Sequence, residues 1–143
     1  MSLRPRFHLA VAVDDLEAAR GFYGGVLGCS RGREADIWVD WDFYGHQLVT
    51  HLVPSAGRQV AGSNPVDGDE VPVPHFGVLL GVEDFHHLAG RLRDAGVDFA
   101  VEPHLRFSGL PGEQWTMFFF DPAGNALEVK AFVDDDAVFA RWR

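Results

Sequence analysis

Two histidines carry the strongest chemical signal in this sequence, because each stands at the same place in a repeated phrase. His8 lies in Phe7-His8-Leu9-Ala10-Val11 and His75 in Pro74-His75-Phe76-Gly77-Val78. Each phrase alternates as a strand does, and each runs into an acidic helix start, Asp14-Asp15 in one case and Glu83-Asp84 in the other. Imidazole ligates metals and titrates near neutral pH, so a histidine at a repeated spot predicts one site assembled from two related halves. On its own, a histidine in a strand is more often a hydrogen-bonded structural residue than a ligand. The repeat is what shifts that balance.

The elements that position these residues follow from periodicity. His8, Ala10 and Ala12 share one face of a first strand, and Phe7, Leu9, Val11 and Val13 share the other. Asp14 or Asp15 caps the next helix, where Leu16, Ala19, Phe22, Tyr23 and Val26 recur at helical spacing up to a stop at Gly28. Strands are expected over about 29–34, 36–43 and 46–53, with Tyr44-Gly45 as a turn. The second half repeats this order: a strand over 74–81, a helix over about 83–95 ending at Gly96, and strands near 98–106, 113–121 and 125–132. His75, Gly77 and Leu79 oppose Phe76, Val78 and Leu80, as His8 opposes its apolar neighbours. Asp121-Pro122-Ala123-Gly124-Asn125 has the chemistry of a tight reversal.

Residues 54–72 are rich in Pro, Gly, Ser and Asp without sustained periodicity, which predicts a linker or lid. The expected organisation is a single domain over 1–143. Module one covers about 6–53, the linker 54–72, module two about 73–132, and a C-terminal extension 133–143 with a short helix beginning near Asp134 to Asp136. Each module is β-α-β-β-β. The expected fold class is therefore α+β, with two βαβββ modules forming one eight-stranded, curved, incompletely closed sheet around a concave face.

Composition narrows the function classes. The 143 residues are 47% hydrophobic and 13% aromatic, values of a folded globular chain. A net charge of −9 without a Lys/Arg cluster argues against nucleic acid as a partner. The single cysteine, Cys29, allows no intramolecular disulfide and spells out no thiolate metal site. No apolar run approaches the roughly 20 residues that cross a bilayer, and the N-terminus lacks a secretory hydrophobic core. A soluble, cytoplasmic protein without nucleic-acid or membrane partners is expected.

Two further runs carry a resemblance. Asp15-Leu16-Glu17-Ala18-Ala19-Arg20-Gly21-Phe22-Tyr23-Gly24-Gly25-Val26-Leu27-Gly28 resembles the helix signature of the vicinal oxygen chelate superfamily. That superfamily includes glyoxalase I, bleomycin-resistance proteins, fosfomycin-resistance enzymes and extradiol ring-cleaving dioxygenases. Asp121-Pro122-Ala123-Gly124-Asn125-Ala126-Leu127-Glu128 is similar to its closing strand, whose Glu is a metal ligand. The likeness spans about residues 6–132 and implies a glyoxalase-like fold. The runs 43–52 and 112–120 look like a bacterial branch of predicted extradiol dioxygenases.

In such proteins the ligands come from the first and last strands of each half. The resemblance thus implies metal ligation by His8, His75 and Glu128. Aligning Gly45-His46-Gln47-Leu48-Val49 on Gly124-Asn125-Ala126-Leu127-Glu128 puts Val49 where glyoxalase I supplies a second carboxylate. Two histidines and one carboxylate remain, a set suited to non-haem Fe(II), with Mn(II) next. Gln47 and His51 flank Val49 on the same parity; His51 is the candidate general acid–base and Gln47 a polar substrate contact. Trp115 is a candidate for stacking on a planar substrate. Phe118 lines the site where ring-cleaving relatives place a tyrosine ten residues before the glutamate. The expected function is a metal-dependent enzyme that chelates vicinal oxygens, of the extradiol dioxygenase type. The alternatives are a glyoxalase-I-like lyase or isomerase using Zn, Ni or Co, with Gln47 or His51 as fourth ligand, and a metal-free small-molecule binding or resistance protein. Related proteins imply a homodimer.

Overall fold

The computed structural model describes residues 4–55 and 60–141, and the chain divides into two compact units. The first unit takes in the N-terminal residues to Gln59 together with Asp121–Asn125; the second takes in Val60–Phe120 and the residues from Ala126 onward.

In the first unit, β1 (His8–Val13) leads into α1 (Leu16–Ala19), which continues as a π-helical segment over Arg20–Val26. The Asp15 side chain accepts a hydrogen bond from Ala18 N and caps α1. The π-helical segment brings two consecutive aromatic residues, Phe22 and Tyr23, both into the core. Three strands follow, β2 (Ser30–Ala35), β3 (Trp38–Phe43) and β4 (His46–Leu52), and the sheet order is β1-β4-β3-β2. β1 and β4 run parallel. The helical side is packed by Tyr23 and Trp41, whose rings lie 6.1 Å apart. The buried Trp41 indole N–H finds an acceptor in Thr50 Oγ1 at 3.1 Å, as a fully buried tryptophan requires.

In the second unit, β7 (Phe76–Leu79), α2 (Val82–Asp94), β8 (Phe99–Arg106), β9 (Gln114–Phe120) and β10 (Ala126–Phe132) repeat that plan, with sheet order β7-β10-β9-β8. Phe85, Leu88, Ala89 and Leu92 form the buried stripe of α2, which packs on β9 and β10. Burial of each large side chain in that stripe contributes on the order of 2 kcal/mol. Both modules are thus βαβββ, as the sequence pattern predicts.

Two segments differ from expectation. The stretch read as a linker contains a hairpin, β5 (Gly62–Val66) and β6 (Asp69–Val73). Its turn, Asp67-Gly68, has φ of 44° and 88°, the left-handed pair of a type I′ reversal. Asp-Gly is the turn signal for that geometry; Pro65 and the polar residues around it hide the strand period. The C-terminal helix is one 3₁₀ turn, Asp135–Ala137, capped by Asp134. Among the described residues no helix is long and apolar enough to cross a membrane.

Candidate functional site

The two sheets register alike. His8 pairs with Gln47 and Ala10 with Val49, while Phe76 pairs with Leu127 and Gly77 with Glu128. Val49, two residues beyond the partner of His8, is therefore the structural counterpart of Glu128. Gly77 is required where it stands, since a Cβ there would lie 1.6 Å from the Glu128 carbonyl oxygen. The backbone of β7 approaches the Glu128 strand as only a glycine permits.

Glu128 is 5% exposed and sits among polar partners. Its Oε2 accepts from Thr116 Oγ1 at 2.5 Å and from Arg106 Nη1 at 3.1 Å. Its Oε1 faces His75 Nε2 at 3.2 Å and Lys130 Nζ at 3.8 Å. The other ring nitrogen of His75, Nδ1, is 2.6 Å from the Pro72 carbonyl, to which it donates. That contact fixes the ring orientation and turns Nε2 toward the carboxylate. The hydrogen bond to Glu128 holds His75 above its ordinary pKa against the opposing effect of burial, with the Pro72 carbonyl assisting. Burial pushes the Glu128 carboxyl up, but the hydrogen bonds from His75 and Thr116 and the charges of Lys130 and Arg106 outweigh it, leaving it below the usual range.

Phe118 stands directly across from Glu128 in β9 and is fully buried. Its ring meets the His75 ring edge to face at 5.0 Å, and the Arg106 guanidinium lies 5.9 Å from its centroid. Phe118 thus forms a floor that supports His75. Trp115, expected to face a substrate, is on the other side of β9. It packs against Phe85 and His86 of α2, with ring distances of 6.2 and 4.7 Å. The parity explains this: Thr116 and Phe118 take the Glu128 face, so Trp115 and Met117 take the helix face.

Pattern alone did not reveal Arg106 or Asp69. Arg106 is 2% exposed and bridges two carboxylates, Glu128 and Asp69, the latter at 3.3 Å. His104 Nε2 also lies 3.0 Å from Asp69 Oδ2, and Asp67 accepts from Phe107 N at 2.8 Å. The β5–β6 turn is thereby fastened to the end of β8.

In the first unit His8, Gln47, His51 and Trp38 share one sheet face by register. His8 and His51 are exposed, and Gln47 Nε2 donates to Asp40 Oδ2 at 3.4 Å. His51 pairs with Ala12, four residues along from His8, a separation of about 13 Å at strand rise. Gln47 is the immediate neighbour of His8; His51 is not.

Among the described residues no three His, Cys, Asp or Glu side chains gather into a metal-holding group. The second unit brings two such donors together. His75 Nε2 and Glu128 Oε1 face each other, while their remaining polar atoms are held by Pro72, Thr116 and Arg106.

Comparison with known proteins decides the family. The model of the glyoxalase/bleomycin resistance protein/dioxygenase superfamily matches residues 7–129. The chain belongs to this superfamily. A glyoxalase/bleomycin resistance protein/dioxygenase from Alicyclobacillus acidocaldarius is 33% identical, with a TM-score of 0.78 over 94% of this chain and 96% of that one. The virulence protein STM3117 of Salmonella typhimurium is 25% identical over 131 residues, 88% of this chain and 83% of the relative. The fosfomycin resistance protein FosX of Listeria monocytogenes shares the superfamily's fold at 14% identity, with a TM-score of 0.70 over 96% of this chain and all of that one.

Proposed function

We propose that this chain is a metal-dependent enzyme acting on a small molecule with two adjacent oxygens, in a reaction of the extradiol dioxygenase type. The observation that carries the reading is the facing pair of His75 Nε2 and Glu128 Oε1, each aimed by hydrogen bonds to its other polar atom. His75 and Glu128 would hold a divalent ion, Fe(II) first and Mn(II) next; His8, the counterpart of His75 in the repeated phrase, is the third ligand suggested by sequence. When bound, that ion supplies Lewis-acid stabilisation of negative charge developing on substrate oxygens.

The chain's own side chains prepare this chemistry. Thr116 and Arg106 occupy one carboxylate oxygen, and the other faces His75 and Lys130. Phe118, fully buried across from Glu128, contributes no hydroxyl, so substrate orientation falls to polar side chains, for which the sequence offers Gln47 and His51. The test is metal analysis of protein purified without chelator, followed by anaerobic Fe(II) loading and oxygen-uptake screening over catechols and related diols. Glu128→Gln and His75→Ala should both lose the metal. Bound iron with no oxygen uptake on any diol would count against a dioxygenase, and turnover of methylglyoxal with glutathione would mark a lyase instead.

A second reading has one observation in its favour. Arg106 and Lys130 already balance Glu128 without a metal, as a metal-free binding protein would need. Ligand affinity unchanged in His8→Ala and His75→Ala would support that reading.

A further inference from the structure

Two buried polar atoms on the Glu128 side of the second sheet lack a partner among the described residues, Arg106 Nε and Gln114 Oε1. Arg106 and Gln114 pair across β8 and β9, so their side chains leave the same face from neighbouring positions. The Arg106 side chain is 3% exposed and Gln114 is 5% exposed. Gln114 is not free to turn its amide over, because Nε2 already donates to the Gly112 carbonyl at 3.0 Å. One orphan is therefore a donor and the other an acceptor. Buried polar atoms of a folded protein are satisfied as a rule, and this pair calls for a group that accepts from the first and donates to the second. A hydroxyl does both.

The rest of the guanidinium narrows the occupant. Nη1 is committed to Glu128 at 3.1 Å, whereas Nη2 reaches Asp69 Oδ2 at 3.3 Å. That one oxygen also lies 3.0 Å from His104 Nε2. Arginine presents Nε and Nη2 as two prongs of one edge, which suits two oxygens side by side. Asp69 meets one prong with one oxygen and leaves the other bare. Asp69 and His104 also line a groove of about 510 Å³, with Ala100 and Val101 on its wall. Glu70 and Glu102 flank the groove and repel a multiply charged anion. A single carboxylate that takes the place of Asp69, by contrast, leaves the charge around Arg106 unchanged.

We propose that Arg106 and Gln114 form a binding site for a 2-hydroxycarboxylate. Its carboxylate takes the position of Asp69 on Arg106 Nη2, beside His104, as Asp69 turns out to solvent. Its hydroxyl accepts from Arg106 Nε and donates to Gln114 Oε1. Asp69 is the stand-in that holds the site when no ligand is bound. No metal takes part, so this site goes beyond the function proposed above and stands or falls without it.

The test is equilibrium binding of lactate, propionate and lactamide, titrated in buffer containing EDTA so that no metal holds the ligand. Propionate lacks the hydroxyl, and lactamide lacks the charge. Wild type is expected to bind lactate at least about tenfold more tightly than either, the worth of one hydrogen bond to a charged group. Asp69→Asn removes the competing carboxylate, which is present at high effective concentration, and should tighten lactate binding about tenfold. Gln114→Met should bring lactate down to the affinity of propionate while both still exceed lactamide. A wild type that binds no lactate, or binds it no better than propionate, would overturn the proposal, and that comparison holds even where a variant fails to fold. Wild-type affinity in folded Asp69→Asn would overturn it as well. So would a crystal structure at saturating lactate in which water alone meets Arg106 Nε and Gln114 Oε1.

Discussion

Arg106 holds together the polar face of the second sheet. Replacing it with Met would leave the buried Glu128 and the part-exposed Asp69 without their shared cation. Loss of one partner from a buried ion pair costs about 3 kcal/mol, so Arg106→Met should unfold at clearly lower urea than wild type, with Arg106→Lys in between. A shift no larger than a surface substitution gives would show that Lys130 and His75 suffice for Glu128. Tyr23 supplies a pH test in the first unit. Burial first, then the adjacent Asp121 charge and the hydrogen bond to it, hold the phenol well above its usual value of 10.0. A raised folded pKa means that its stabilising effect is complete below the unfolded value of 10.0 and is lost as pH rises toward the folded one. Tyr23 should therefore not titrate spectroscopically near pH 10 while the protein stays folded. Two equivalent transitions near pH 10 in folded protein would refute the buried hydrogen bond.

Among the elements, β7 and β10 meet closely at Gly77. Gly77→Ala would drive a methyl group into the Glu128 backbone, and overpacking of that kind costs about 3 kcal/mol or more. A reduced melting temperature is expected, because the strand that must move carries Glu128 and its ion pairs. An alanine variant with wild-type melting would mean the strands part freely. Much of this level was legible in the sequence. The alternation around His8 and His75 gave both first strands, and opposition to Leu127 and Val129 gave the parity of Glu128. The same parity rule, applied to β9, would have sent Trp115 to the helix side once Glu128 and Phe118 were paired. The β5–β6 hairpin was harder to read, because Gly-Ser-Asn-Pro-Val offers no apolar alternation and only Asp67-Gly68 marks it. Arg106 was not legible at all: sequence shows a charged residue near a strand end, while its burial depends on two carboxylates 37 and 22 residues away.

At the scale of the whole molecule, family membership fixes the plan of two like modules, which nevertheless differ at corresponding register positions. Glu128 has Val49 as its counterpart, so the modules share geometry but not donor chemistry. Division into units does not follow the order of the chain, since Asp121–Asn125 belongs with the N-terminal residues. There Asp121 accepts from the Tyr23 hydroxyl at 2.7 Å, and Asn125 Nδ2 donates to the Ala12 carbonyl at 2.9 Å. A fragment spanning residues 1–59 should therefore be unfolded by circular dichroism, because it lacks those partners and is small for an independent core. A cooperative melt of that fragment would contradict this. The partners are separated by 98 and 113 residues of chain. During translation, then, the N-terminal sheet is an unfinished intermediate that waits for the ribosome to pass Asn125, and its exposure to chaperones and proteases is set by the time taken to synthesise the module that follows it.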